Sequence, residues 1–226
     1  MMEKRKDLKI YGSGISSGGE FNRISIMGEG IIHGDVECSN LKVYGEGQLD
    51  GSVKSADYVS IKGETIVKGD LNAQKVKVQG EFEVSGDLLV DEAKIQGSIL
   101  VGKDFNTEIL NLEGGFTIEG MLNGDILRIN LYWPSKVNEI GGSDITVKKS
   151  GKLSFLGIKN KIMSEGKNEL TADVIEGDNI YLENTTARVV RGNNITIGSG
   201  CKIEMVEYKE NFKTDGKSEV GMDKKI

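Results

Sequence analysis

Residues 59–71 read VSIKGETIVKGDL, and residues 76–88, which begin 17 positions later, read VKVQGEFEVSGDL. In both stretches apolar and polar residues alternate on either side of a central glycine, which is the period of a half-buried β-strand. A Gly-Asp pair follows each second strand, and an apolar residue then begins a third. The two stretches therefore predict short strands that turn at glycine.

The same unit occurs six times in the first half of the chain. Its central glycine stands at positions 28, 45, 63, 80, 97 and 114. The positions four and two residues before this glycine, and four and eight residues after it, are apolar in all six units, although only 37% of the chain is apolar. A repeat of 17 or 18 residues is too short for a strand–helix–strand unit. It predicts an all-β fold, a parallel β-helix whose rungs pair in register about 4.8 Å apart.

The composition agrees with stacked strands. The 226 residues include 31 glycines and one proline, so the chain has many tight turns but almost no residue that lacks a backbone N–H donor. High glycine together with high proline would instead indicate collagen or a disordered linker. No stretch reaches five consecutive apolar residues, and we therefore expect neither a transmembrane helix nor a signal-peptide core.

The charged and reactive residues exclude several functional classes. The net charge is −6 and the lysines and arginines are scattered, which argues against a nucleic-acid partner. Cys38 and Cys201 are too few for a disulfide framework or a four-ligand zinc site, so we expect packed, reduced thiols in a cytoplasmic protein. With one histidine in the chain, most metal sites and catalytic triads are out of reach.

The periodicity divides the chain into segments. The only tryptophan and the only proline stand together at Trp133 and Pro134, where the 17-residue period is lost. A 15-residue repeat appears later, because residues 174–182 are echoed by residues 189–197. We therefore predict a charged segment at 1–7, a regular β-helix at 8–131, a junction or inserted loop at 132–144, a second and less regular β-solenoid at 145–208, and a charged, flexible tail at 209–226.

Units such as Ile61-Lys62-Gly63 followed by Val67-Lys68-Gly69-Asp70-Leu71 resemble those of the bactofilins, the polymer-forming cytoskeletal proteins of bacteria. The resemblance covers roughly residues 22–130 well, and the second half only as a general β-solenoid. It implies a right-handed parallel β-helix of triangular section, whose copies assemble head-to-tail into a homo-polymer without a nucleotide or other cofactor. It also implies a non-enzymatic scaffold that positions other proteins in cell shape, envelope or motility functions.

The first residues differ from a feature that is common in that family. Many bactofilins carry a short apolar N-terminal segment that targets the membrane, whereas residues 1–7 here read MMEKRKD. We therefore expect no direct membrane anchor, and membrane association only through envelope or motility partners.

Two groups of residues are candidates for contacts with other proteins. A β-helix ends in strands with unpaired N–H and C=O groups, which accept another chain unless something covers them. Stacking at the N-terminal end would bury the apolar residues of the first rung, namely Ile10, Ile15, Ile24 and Ile26. Tyr132 and Trp133, rare aromatics at the break in the period, are predicted either to cap the core or to form a partner surface.

Other candidate sites have simpler explanations. His33 should point to solvent; as a general base it would suit a hexapeptide-repeat acyltransferase, but the strict hexapeptide phasing of those enzymes is absent here. The aspartates of the Gly-Asp pairs are expected to accept backbone amides in turns rather than to bind calcium. We therefore expect no catalytic, cofactor-binding or metal-binding residues. The alternative function is a β-helical binding module that does not polymerise and captures a partner through Trp133, and the acyltransferase is a distant third.

Overall fold

The architecture is a stack of parallel β-strands. The computed structural model describes residues 5–150 and 168–226, and within these residues it contains no helix. Each strand pairs in parallel with the next one along the chain, so that the ten strands form one sheet in sequence order. The strands are β1 (Lys6–Leu49), β2 (Val53–Val67), β3 (Leu71–Val84), β4 (Leu88–Val101), β5 (Phe105–Leu131), β6 (Ser135–Lys149), β7 (Leu170–Leu182), β8 (Thr185–Ile197), β9 (Lys202–Thr214) and β10 (Glu219–Lys225). The predicted all-β parallel solenoid is confirmed.

The pairing register confirms the predicted rung length in the first half. Val59 pairs with Val76, an offset of 17 residues, and the neighbouring strands keep offsets of 17 or 18. Strand β1 is long because it continues through more than one rung, and its Gly28 stacks on Gly12.

Side chains at the predicted inward positions fill a narrow core. The residues two positions before the central glycines are all at most 1% exposed: Ile26, Val43, Ile61, Val78, Ile95 and Leu112. Because the strands pair in register, each of these side chains lies on its equivalent in the next rung. Burial of one such side chain stabilises the fold by about 1.5–3 kcal/mol. The β-branched residues suit these columns because their χ1 angle is already restricted.

The central glycines form a column at one corner of the rung. Gly63 has a φ of +125°, which L side chains rarely adopt. A Cβ atom there would also lie 2.1 Å from the carbonyl oxygen of Gly45 in the preceding rung. Glycine at this corner is therefore required both by its own backbone and by its neighbour.

The predicted junction or inserted loop at 132–144 is wrong over most of its length. Residues 132–134 connect β5 to β6, and the N–H of Tyr132 donates to the Gly114 carbonyl oxygen at 2.8 Å. Strand β6 then continues the sheet from Ser135. The period fades in the sequence because the pairing offset grows from 17 to 18 or 19 residues at this step, although the stack itself does not stop.

The chain has additional residues between β6 and β7. Ser135 of β6 pairs with Leu170 of β7, an offset of 35 residues. The connection from Lys149 to Leu170 therefore contains more residues than a rung needs. Residues 151–167, which fall in the predicted segment 145–208, lie outside the described residues.

The last segments confirm one expectation and correct another. The predicted 15-residue repeat is present, since Val174 pairs with Val189. The predicted flexible tail at 209–226 is wrong, because β9 extends to Thr214 and β10 pairs with β9. Few apolar side chains are needed in such a rung, since its backbone pairs along one edge whatever side chains it carries.

Candidate functional site at the solenoid ends

The N-terminal edge of the stack is the outer side of the first rung, at the start of β1. Leu8 and Phe21 are partly buried against the core, and Ile10 is buried. Ile15 at 69% and Tyr11 at 65% are the most exposed large apolar side chains of the described residues. This end therefore presents apolar surface beside an open backbone edge.

The structure separates the four residues that were predicted to form a self-assembly interface. Ile24 and Ile26 belong to the second rung and are 1% and 0% exposed. They lie inside the stack rather than at its edge, because the first rung precedes them and covers them. Ile10 and Ile15 lie in the first rung, where a contact with another copy stays a prediction.

Arg5 links the start of the first rung to the two rungs that follow it. Its guanidinium lies 2.9 Å from Glu20 Oε2 and 2.7 Å from Glu37 Oε1. The hydrogen bond from Arg5 lowers the pKa of Glu37, and the same bond raises the pKa of Arg5. Because these pairs are exposed, they orient the first residues of β1 more than they stabilise the fold.

The C-terminal edge is formed by β10 and by the end of β9. Strand β10 pairs with residues 202–208 of β9 on one side, and no strand of the described chain pairs with its other side. Phe212 and Val220 pack partly buried against the core, whereas Met222 is exposed. Both ends of the stack thus present part of the apolar core and a strand edge that no other described strand pairs with.

Between the two ends, a ladder of hydrogen bonds runs along the Gly-Asp corner. Asp70 Oδ1 accepts the backbone N–H of Asp87 at 2.9 Å, and Asp87 Oδ1 accepts that of Asp104 at 3.1 Å. The Ser52 hydroxyl oxygen does the same for the N–H of Asp70 at 3.1 Å. The expected binding of backbone amides is confirmed, but each amide belongs to the next rung and not to the carboxylate's own turn.

Lys103 partly neutralises this ladder. It stands where the other five units have their second glycine. Its ammonium lies 3.5 Å from Asp87 Oδ2 and 3.9 Å from Asp70 Oδ1. The irregular residue of the repeat is thus the counter-ion of carboxylates that stack about 4.8 Å apart.

His33 lies in an exposed ladder of polar side chains. Its Nδ1 lies 2.5 Å from Asp50 Oδ2, while Lys68 Nζ and Gln48 Nε2 each lie 2.7 Å from Asp50 Oδ1. The hydrogen bonds from Lys68, Gln48 and His33 hold the pKa of Asp50 well below its usual range. The His33 side chain is 59% exposed, so this arrangement is a surface network of ion pairs.

A second ladder, which the sequence reasoning missed, runs along the second half. Its side-chain amides donate from Asn179 to Asp144 at 2.8 Å, from Asn194 to Asn179 at 3.1 Å, and from Asn211 to Asn194 at 2.8 Å. The signal in the sequence is asparagine at both 179 and 194, one 15-residue repeat apart. These two asparagines predict a hydrogen-bonded ladder only when the pairing register is known.

Tyr132 and Trp133 lie half-buried in the connection between β5 and β6. Since β6 continues the stack beyond them, they do not cap its end. The Ser135 hydroxyl donates to the Trp133 carbonyl oxygen at 3.3 Å and accepts the N–H of Phe116 at 3.1 Å, which fixes this connection. A partner surface at this point stays a prediction.

Cys38 and Cys201 are buried and unpaired, as expected for packed thiols. Burial raises the pKa of each thiol to about 11. Among the described residues, no three His, Cys, Asp or Glu side chains are grouped to hold a metal ion. The same part of the chain contains no helix long and apolar enough to cross a membrane.

Comparison with known proteins finds similarity along the whole chain. The profile of the bactofilin family, described as polymer-forming cytoskeletal, matches residues 2–88 and 46–123. The uncharacterized protein YhbF of Bacillus subtilis (strain 168) is 48% identical over 235 residues, which cover 96% of each chain. The uncharacterized protein YhbE of the same strain is 45% identical over 243 residues, which cover 100% of each chain. No solved structure matches the chain.

Proposed function

Because the chain belongs to the bactofilin family, we propose that it is a non-enzymatic cytoskeletal scaffold whose copies stack end to end into filaments. Assembly needs no nucleotide, since burial of apolar surface and pairing of backbone groups drive it. The filament lies in the cytoplasm, or at the membrane through its partners, and positions envelope or motility proteins.

The observation that carries this proposal is the open strand edge at each end of the stack. All described strands pair in parallel with the next. A second copy whose first rung lies on β10 would therefore continue the same ladder in the same direction. Such a head-to-tail contact joins two different surfaces and does not close on itself, so its repetition gives a linear filament.

The charges of the last strand do not block this contact. Strand β10 carries Asp223, Lys224 and Lys225, and charged side chains often protect an edge strand from pairing. In a solenoid, however, side chains project from the faces, perpendicular to the direction in which rungs stack. Each new backbone hydrogen bond contributes about 0.5–1.5 kcal/mol net, and the apolar residues of the first rung add their burial.

Electron microscopy of the purified chain, without added nucleotide, tests this proposal. The unmodified chain is expected to form filaments. Ile15→Lys places an ammonium on an outward-facing side chain of the first rung, so, like the charged residues of β10, it should shorten the filaments only slightly. Ile10→Lys, at the open end of the core, should have a larger effect.

Leu89→Lys is the matched control, because Leu89 is also an exposed apolar residue, at 50%, but lies in the middle of the stack. This variant should form filaments like those of the unmodified chain. Circular dichroism should show the same β-rich spectrum for all variants. The proposal is wrong if the unmodified chain stays monomeric at every concentration.

A further inference from the structure

Two neighbouring faces of the first half carry opposite charge. The basic face consists of the outward-facing residues just before the central glycines, within 40–44, 58–62, 75–79, 92–96 and 109–113. The acidic face consists of the outward-facing residues just after them, within 46–50, 64–68, 81–85, 98–102 and 115–119. The column of central glycines separates the two faces.

The imbalance of charge is large on both faces. The basic face has five lysines, Lys42, Lys62, Lys75, Lys77 and Lys94, and two carboxylates, Glu92 and Glu113. The acidic face has six carboxylates, Glu46, Asp50, Glu64, Glu81, Glu83 and Glu119, and one lysine, Lys68. A chain of net charge −6 is therefore strongly polarised across its section.

Like charges stack directly on one another within each face. Lys77 pairs in register with Lys94, and Glu46 pairs in register with Glu64. Within the described part of the chain, none of these four side chains forms an ion pair or a hydrogen bond. Like charges that lie opposite each other on paired strands repel, so an oppositely charged partner would stabilise each face.

We propose that the basic face of one copy docks on the acidic face of a second copy, so that filaments associate side by side. The faces match because both repeat at the same rung spacing, about 4.8 Å, so that lysines of one face can lie opposite carboxylates of the other. Each copy uses a different face toward each neighbour, so the contact is heterologous and joins further copies instead of closing as a dimer. This lateral contact uses residues different from those of the end-to-end contact.

The size of the faces makes this contact weak for a single pair of copies. Five rungs of five-residue strand segments give a face of roughly 20 by 15 Å. A stable interface buries about 800 Å² on each partner, which is more than twice that area. Filaments would repeat the contact many times, and this multivalency makes association strong without any new contact. Because the ion pairs are exposed, the association is sensitive to salt.

An anionic lipid surface is the other partner that a basic face would fit. The second copy is favoured because it also provides a partner for the acidic face. In addition, the net charge of −6 repels the molecule as a whole from a polyanion.

Charge reversal on each face tests the proposal. Unmodified filaments are expected to associate laterally at about 0.01 M salt and to separate at about 1 M, where the screening length falls from about 30 Å to about 3 Å. The basic-face variant, Lys62→Glu with Lys77→Glu and Lys94→Glu, should give single filaments at low salt. The acidic-face variant, Glu46→Lys with Glu64→Lys and Glu83→Lys, should do the same. When preformed filaments of the two variants are mixed, lateral association should return.

A control variant separates the effect of reversing the acidic face from that of a more positive net charge. Asp91 and Glu108 are exposed and lie on neither face. Asp91→Lys with Glu108→Lys should therefore leave lateral association intact. Latex beads that carry densely coupled protein give a readout that needs no polymerisation: beads of each face variant should stay dispersed alone and agglutinate when mixed.

The outcomes distinguish this proposal from the end-to-end one. Monomers without filaments contradict end-to-end stacking, while the beads still report on the faces. The lateral contact is overturned if lateral association survives reversal of the basic face. It is overturned as well if unmodified filaments and beads never associate at low salt. It is also overturned if reversal of the basic face abolishes binding to vesicles of anionic phospholipid but leaves lateral association unchanged.

Discussion

Gly63 is constrained both by its own backbone conformation and by contact with the preceding rung. A comparison with Gly19 allows these two effects to be measured separately. Gly19 has a similar φ, +134° against +125°, but a Cβ atom there would meet nothing within 4 Å. Gly19→Ala should therefore cost only the backbone strain, about 1–3 kcal/mol. Gly63→Ala should cost that strain and about 1–3 kcal/mol more, because its Cβ would collide with Gly45.

Urea unfolding of the two variants, below the concentration at which the chain polymerises, measures this difference. The steric account of the glycine column is contradicted if the two variants lose the same free energy of unfolding.

Asp50 makes the stability of the fold depend on pH in a defined direction. Because its hydrogen bonds with Lys68, Gln48 and His33 lower its pKa in the folded chain, the folded chain binds fewer protons there than the unfolded chain. The contribution of Asp50 is therefore complete above the unfolded pKa of about 4 and is lost as the pH falls below it. The unmodified chain should be more stable than Asp50→Asn at pH 7, and this gap should shrink at pH 3.

The urea midpoints of the two chains at both pH values provide the measurement. Asp125→Asn is a suitable control, since Asp125 is exposed and forms no ion pair within the described residues. Its midpoint should follow that of the unmodified chain at both pH values. If the difference in urea midpoint between the unmodified chain and Asp50→Asn is the same at both pH values, Asp50 stabilises the fold without titrating.

The strands of the first half could be predicted from the sequence because alternation and glycine spacing both report on one rung. The side-chain ladders could not, since the partner of Asp70 is an amide 17 residues away and its identity depends on register. The loss of period at Trp133 predicts a loop where the structure has a strand, because a change of one or two residues in rung length erases the pattern while the backbone still pairs. Strand β10 was missed for a related reason, since a last rung needs little apolar sequence.

The long connection between β6 and β7 leads to a prediction about these strands. Leu131 pairs with Lys149, and Ser135 pairs with Leu170, so the step from Lys149 to Leu170 spans the same corner as residues 132–134. Deletion of residues 151–167 leaves three residues for that corner, the number that suffices between β5 and β6. The shortened chain should therefore keep its β-rich spectrum and unfold in a single transition at nearly the same urea concentration.

Deletion of residues 132–134 is the contrasting variant, because it leaves no residues to turn the corner. That chain should lose the pairing of β5 with β6 and unfold at a lower urea concentration. A large loss of stability in the 151–167 deletion would mean that this segment supports the stack.

As a whole, the molecule is nearly one-dimensional, since the backbone of each described strand pairs only with the strands before and after it. The stability of such a stack is approximately a sum of neighbour contacts, and its terminal rungs, which have one neighbour, are the first to open. Composition and period indicated the stack and, through the resemblance, the polymer. The polarised faces were not predicted, because they depend on which side chains of successive rungs share a face.

End-to-end assembly should therefore give each terminal rung the neighbour that it lacks. Amide hydrogen exchange of the filaments should be slower than that of the monomer in the first rung, near Ile10, and in β10. Exchange in β3, which already has a rung on each side, should not change, and this strand serves as the internal control. Slower exchange along the basic and acidic faces without any change at the ends would contradict end-to-end stacking. Side-by-side docking adds no backbone hydrogen bonds, so the proposed lateral contact should by itself leave the exchange of the terminal rungs unchanged. The same experiment at high salt, where lateral association is screened, therefore measures the end-to-end contact alone.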